Sequence, residues 1–176
     1  GRPDAYSRMD PADFCYYDGA VVVNLDEIRP MIALPFHPAN VWPIDEVNRH
    51  GRDILKSVED EAQKQIAAPG LKLRLAEKLT GGRLKVEQGI VAGCSGGMFD
   101  NVMAMADLLS NRSTGCGNFA LSVYPASQPV YLELIKARAV EKLMRAGAII
   151  KPAFCGPCFG SGDIPAHEAL SIRHVT

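Results

Sequence analysis

Leu84-Lys85-Val86-Glu87-Gln88-Gly89-Ile90-Val91-Ala92-Gly93-Cys94-Ser95-Gly96-Gly97 is the stretch on which the folding of this chain turns. Residues 84 to 92 read as a strand, and the glycines beyond them as its exit into a turn and the start of a helix. Asp100 stands where it would cap that helix, and Val102, Met105, Ala106 and Leu109 then recur as one apolar stripe. Met98, Met103 and Met105 read as core filler. The cycle repeats downstream. Asn118 to Tyr124 is a second strand, and Pro125-Ala126-Ser127-Gln128-Pro129 opens helical sequence, with Ser127 or Gln128 as N-cap and Pro129 in the first turn. Tyr131, Ile135, Ala139 and Leu143 keep one face apolar through one helix or two in succession, and Gly147 is placed to end it. Ala148-Ile149-Ile150 is a third, short strand that delivers Cys155 at its carboxyl end.

Strands alternating with helices predict an α/β fold, a three-layer α/β/α arrangement around a mostly parallel sheet. Ligands of such sheets bind beyond the carboxyl ends of the strands. The Cys94 turn and the Cys155-Gly156-Pro157-Cys158 turn both come after strands, so both belong on that edge.

Working outward toward the amino terminus, the pattern weakens. Residues 1 to 18 show no period and predict irregular structure, and Ala20 to Leu25 is a β-branched run that reads as a strand. Pro30, Pro35, Pro38 and Pro43 exclude a continuous helix and predict an extended segment, in which Trp42 is a packing anchor and His37 a solvated loop residue. From Asp53 to Ala67, the spacing of Ile54, Val58, Ala62 and Ile66 predicts an amphipathic helix that Pro69-Gly70 ends. Leu71 to Leu79 fits either period, and Gly81-Gly82 is a turn. The chain divides into an extended segment and helix packing on the core (1–82) and an α/β core (83–176), together one domain.

With 176 residues and a formal net charge of -1, the chain has no electrostatic footprint for nucleic acid or an anionic membrane, and no apolar run of spanning length. Five cysteines, an odd number, argue against a secreted disulfide framework and for a reducing, cytoplasmic setting. Cys15 and Cys116 have no motif around them. The chain opens on Gly1 rather than Met and closes on the strand-like run Leu170 to Thr176, which reads as a piece cut from a larger protein.

Three chemistries suit the thiols. A redox dithiol at Cys155 and Cys158 would want a helix N-terminus behind the first sulfur, and Phe159-Gly160-Ser161-Gly162 is a poor helix start. A zinc site would want a fourth ligand; His167 and His174 are near in sequence but form no second paired motif. An iron-sulfur cluster held by Cys94, Cys155 and Cys158 would leave one iron open to act as a Lewis acid. Against all three stands Cys94 as a small buried apolar residue.

Beside these readings stands a resemblance. Gly93-Cys94-Ser95, then Pro125-Ala126-Ser127, then Cys155-Gly156-Pro157-Cys158, each at the end of a strand, resemble the aconitase family. So do Val22-Val23-Asn24-Leu25-Asp26, Pro30, Pro35-Phe36-His37-Pro38 and Ile44-Asp45-Glu46-Val47 upstream. The likeness covers nearly the whole chain. It implies the cluster-binding third domain of a 4Fe-4S hydro-lyase, in which Cys94, Cys155 and Cys158 each ligate one iron and the fourth iron takes the hydroxyl and carboxylate of a small carboxylic acid. Gly93, Gly96, Gly156 and Gly160 would then let backbone approach the cluster. The resemblance also implies that the acid/base histidine and aspartate, the substrate-binding arginines and a catalytic serine come from other domains of the same enzyme. The piece alone would be inactive, and cluster-free when purified in air. Family members usually read Ser-Cys-Thr-Asn where this chain has Gly93-Cys94-Ser95-Gly96, a departure that points away from citrate/isocitrate isomerisation. The alternative function is a thiol redox or metal-binding module using Cys155 and Cys158.

Overall fold

The computed structural model describes residues 10, 12–66, 68 and 70–175. Most of the expected irregular stretch, residues 1 to 9 and 11, lies outside them. The β-branched run at 20–25 does not form the expected strand. Val21 and Val22 are each 92% exposed, and the only regular turn there is a 3-10 turn at Leu25–Glu27 capped by the Asn24 side chain. A β-branched run is a strand only when another strand supplies its hydrogen bonds, and none of the described residues does so here.

The proline-rich segment is a small antiparallel hairpin, β1 (Met31–Ala33) and β2 (Val41–Pro43), with Ile32 opposite Trp42. The next element, helix α1 (Ile44–Ile66), begins nine residues before Asp53 and is kinked at His50. Its first turns are hidden in the sequence because His50-Gly51 breaks the helical pattern. Gly51 is buried inside the helix, where a Cβ would stand a close 3.2 Å from the Leu79 side chain. The ambiguous Leu71–Leu79 stretch is neither strand nor helix until a 3-10 turn at Ala76–Lys78 leads into the two-stranded ribbon β3 (Leu79–Thr80) and β4 (Arg83–Leu84). Val47, Ile54, Leu55 and Val58 of α1 bury against Leu34, Trp42, Leu75, Leu79 and Leu84, a core of its own.

The main sheet has the order β7-β6-β5-β8 and is parallel throughout: β5 (Gln88–Val91), β6 (Ala120–Val123), β7 (Ile149–Ile150) and β8 (Ser171–His174). The α/β class with a parallel sheet is therefore as expected from the alternation of periods. Only the second half of the predicted 84–92 strand joins this sheet, because Leu84 is committed to the ribbon. Between β5 and β6 run the single turn α2 (Gly93–Gly96) and α3 (Phe99–Leu108); between β6 and β7 run α4 (Gln128–Lys136) and α5 (Ala139–Ala146). Two helices, not one, occupy that interval, because Arg138 takes a left-handed conformation (φ 60°) between them.

Ser127 caps α4, its hydroxyl accepting from the Val130 N–H, with Pro129 in the first turn. Gly147 (φ 99°) closes α5. Asp100 does not cap α3. The N-cap is Met98, whose side chain makes no cap bond and is half exposed instead of core. On α4 the buried residue is Leu134, while Ile135 faces outward; from Ala139 and Leu143 onward the predicted stripe is the buried one.

Alternation along the strands sorts the sheet into two faces. Val91, Leu121, Val123 and Ile150 meet Val102, Ala106, Leu134, Ala139 and Leu143 of α3, α4 and α5. The chain must then pass from β7 to β8 across two intervening strands, and it does so over the opposite face. Residues 151–170 form that crossing, whose only regular element is a 3-10 turn at Gly156–Phe159, so the layer opposite the helices is a single turn and its loop.

Candidate functional site

The parallel order fixes what happens at one edge. β5 and β7 lie on either side of β6, about 10 Å apart at ordinary strand spacing. Each delivers a cysteine turn beyond its carboxyl end. Cys94 is in α2, two residues past the end of the Ala92 extension of β5, and Cys155 comes five residues after β7. Cys94 and Cys155 are exposed and Cys158 is half-buried; no disulfide joins cysteines among the described residues. Cys15 and Cys116 are also exposed, and Cys116 lies in the loop that enters the amino end of β6, away from this edge.

Backbone contacts lock the Cys94 turn to its neighbours. The Ala126 N–H donates to the Gly97 carbonyl (2.8 Å), joining this turn to the Pro125-Ala126-Ser127 turn after β6. Asn101 Nδ2 donates to the Ser95 carbonyl at 2.8 Å. On the other side the Ala92 N–H donates to the His174 carbonyl (3.1 Å), at the end of β8. A Cβ on Gly96 would fall 2.0 Å from that carbonyl oxygen, and one on Gly97 would fall 2.3 Å from the Tyr124 carbonyl. Gly96 thus lets the turn sit against the end of β8, at the crevice where the direction of winding reverses, and Gly97 lets it sit against the end of β6.

The Cys155 turn is gripped differently. The Cys158 N–H donates to the Cys155 carbonyl (3.1 Å) and the Ser161 N–H to the Gly156 carbonyl (2.8 Å), while Gly156 and Pro157 are buried. The ring of Phe154 fills the space where a Gly156 Cβ would be, 2.1 Å from its nearest atom. Immediately after Cys155 come four residues of 3-10 turn ending at Gly160, not an α-helix, so the helix that a thioredoxin-like dithiol needs is absent from this segment. Arg173 reaches across from β8, its Nη1 donating to the Pro157 carbonyl at 2.8 Å. His174 contributes its backbone to the Cys94 turn, and His167 lies on the exposed part of the crossing.

Sequence pattern assigns Asp163 no task, and the structure makes it the hub of this loop. Its Oδ1 accepts from Gln88 Nε2 (3.0 Å), and its Oδ2 accepts from Tyr124 OH (2.8 Å) and Lys151 Nζ (2.9 Å). The Lys151 ammonium also stands 5.4 Å from the Tyr124 ring centroid. Burial opposes ionisation of Asp163, but hydrogen bonds from Ser122, Lys151 and Tyr124 together outweigh it and hold the carboxyl below its ordinary range. The bond to Asp163 raises the Lys151 ammonium against the opposing effect of burial, and burial raises the Tyr124 hydroxyl. Gln88 is buried, and its Oε1 has no hydrogen-bond partner among the described residues. The only sequence signal for this cluster is three polar side chains, Gln88, Ser122 and Lys151, in or beside otherwise apolar strands.

Thiolates are the donors an iron-sulfur cluster takes, and three on strand-end loops suit it in kind. Among the described residues, no three His, Cys, Asp or Glu side chains converge on a point where one metal ion could be held. A cluster does not demand that convergence, since each thiolate binds a different iron. Among the described residues no helix is long and apolar enough to cross a membrane.

The profile of the aconitase family (aconitate hydratase) matches residues 3–176. The large subunit of 3-isopropylmalate dehydratase from Thermoanaerobacter sp. (strain X514) is 27% identical over 155 residues, 88% of this chain and 29% of that protein. A probable 3-isopropylmalate dehydratase large subunit from Methanosarcina mazei is 30% identical over 161 residues, 89% of this chain and 29% of that protein. The chain thus spans under a third of the length of these relatives. With a match running from residue 3 to its end and a parallel sheet whose loops carry the expected turns, this chain belongs to the aconitase family.

Proposed function

We propose that the chain is the cluster-binding portion of a 4Fe-4S hydro-lyase, with Cys94, Cys155 and Cys158 each ligating one iron. The cluster would supply a Lewis acid, the iron without a protein thiolate, for the hydroxyl that leaves as water. The residues of this chain hold the sulfurs. Asn101 and Ala126 tie down the Cys94 turn, and Arg173 ties down the Cys155–Cys158 turn through the Pro157 carbonyl. The observation that carries the reading is the parallel order β7-β6-β5, which sends both thiol-bearing turns off the same edge of the sheet.

The names of the relatives suggest the substrate class, a hydroxylated dicarboxylic acid of the malate type, and a smaller partner subunit. Acid/base and substrate-binding groups come from other domains of the enzyme, so residues 1–176 alone do not turn substrate over. Within the chain, residues 83–176 would carry the cluster, while the hairpin and α1 of the amino-terminal part build a separate core with Leu75, Leu79 and Leu84.

Anaerobic reconstitution with iron and sulfide tests the proposal. The chain should take up both in equal amounts and form a cluster that becomes paramagnetic on one-electron reduction, and Cys94→Ser should abolish it. A normal cluster in Cys94→Ser overturns the ligand assignment. Protein purified in air should carry no stoichiometric iron, and a full iron complement there would contradict the exposure of these loops.

A further inference from the structure

The two turns that carry thiols are anchored in unlike ways. The Cys94 turn is held by backbone bonds on both flanks, whereas the Cys155–Cys158 turn lies within a long crossing with little regular structure. The Lys151–Asp163 ion pair joins positions 12 apart in sequence, and both thiols lie between them. Its partners are half-buried or better, with side chains 32% and 13% exposed. The segment it closes is a loop whose ends meet, with the half-exposed ring of Phe154 lying against Gly156 and Gly162. Asp163 is in turn fastened to the sheet by Gln88 of β5 and by Tyr124 at the end of β6.

We propose that Asp163 is the positioning residue for the Cys155–Cys158 turn: with Lys151 it clasps the loop shut, and through Gln88 and Tyr124 it fixes the closed loop on the sheet. Where the two sulfurs stand relative to Cys94 then depends on a carboxylate that binds no iron. The consequence for the cluster rests on the proposed function, but the clasp itself does not.

The experiment therefore has two readouts on the full chain. In the cluster-free protein, alkylation of each cysteine by iodoacetamide is timed by mass spectrometry. Asp163→Asn and Lys151→Met should raise the rate at half-buried Cys158 by about tenfold, as expected from loss of one charge-assisted hydrogen bond, and leave Cys94 and Cys116 unchanged. Lys151→Arg should restore the wild-type rate. Tyr124→Phe, which removes one hydroxyl and keeps the ring, gives a milder increase and serves if the charge variants do not fold. Arg74→Met, which breaks the exposed Arg74–Glu168 pair on the same crossing, is the control and should change nothing.

In the reconstituted protein, the same variants should release iron to a chelator about tenfold faster and change the electron paramagnetic signature of the reduced cluster. A merely stabilising role would lower the melting temperature and leave both untouched. Wild-type labelling of Cys158 in folded Asp163→Asn and Lys151→Met, or in Tyr124→Phe where those do not fold, overturns the clasp whether or not a cluster assembles. Failure of the wild-type chain to assemble a cluster overturns the proposed function and leaves the labelling result to stand alone.

Discussion

Replacing Gly96 by alanine puts a methyl group where the end of β8 already sits. The added carbon would lie 2.0 Å from the His174 carbonyl oxygen and 2.8 Å from its carbon, and neither is a flexible side chain that can swing aside. To restore ordinary contact, β8 must retreat from the Cys94 turn by about 1 Å or more, an overpacking that costs about 1–3 kcal/mol. The same movement stretches the 3.1 Å bond from the Ala92 N–H to that carbonyl. Its loss adds about 1 kcal/mol. The sum, about 2–4 kcal/mol, should appear in urea denaturation as a midpoint lowered by roughly 1–2 M with the slope unchanged. Gly117→Ala is the matched control, since a Cβ there meets nothing within 4 Å. If Gly96→Ala unfolds at the same urea concentration as Gly117→Ala, the end of β8 does not dock on the Cys94 turn at Gly96.

Packing and charge fix several other outcomes. Leu143→Ala removes a fully buried side chain from between α5 and the sheet and should cost about 2–5 kcal/mol, whereas Leu132→Ala, half exposed on α4, should stay within about 0.5 kcal/mol in the same denaturation assay. Ser127→Ala deletes the cap of α4 and should cost about 1 kcal/mol. Because the folded Asp163 carboxyl is held below its ordinary value, the stability it contributes is present above about pH 4 and is lost as the pH falls through the lowered value; melting temperatures of Asp163→Asn should therefore decline less steeply in acid than those of the wild type. Lys151 is shifted upward, so its contribution is present below its ordinary value and lost as the pH rises through the raised one, and Lys151→Met should flatten the alkaline limb.

The carboxyl-terminal half is legible in the sequence because its strands and helices each satisfy their own period. Ala139 and Leu143 face the core that their spacing predicts, and Gly147 ends α5 in the conformation that favours glycine. Local pattern misleads where tertiary contact overrides it. Val21 to Val23 have strand propensity and no partner strand among the described residues, so they remain irregular and exposed. The first turns of α1 are hidden by His50-Gly51, where the helix kinks and the glycine packs beside Leu79. Leu134 replaces Tyr131 and Ile135 at the core because the left-handed Arg138 resets the helical phase between α4 and α5.

At the site, the edge on which both cysteine turns lie is legible from the order of strands alone. The Asp163 cluster is not. Gln88, Tyr124, Lys151 and Asp163 lie up to 75 positions apart, and only the crossing from β7 to β8 over the face opposite the helices brings them together.

Three particular sulfurs, and no others, are assigned to hold a cluster at this edge. Anaerobic iron and sulfide uptake should therefore be measured side by side for serine variants of all five cysteines. Cys94→Ser, Cys155→Ser and Cys158→Ser should each fail to form the wild-type cluster, while Cys15→Ser and Cys116→Ser should form it fully. Equal uptake by Cys94→Ser and wild type, or loss of the cluster on changing Cys15 or Cys116, would contradict it.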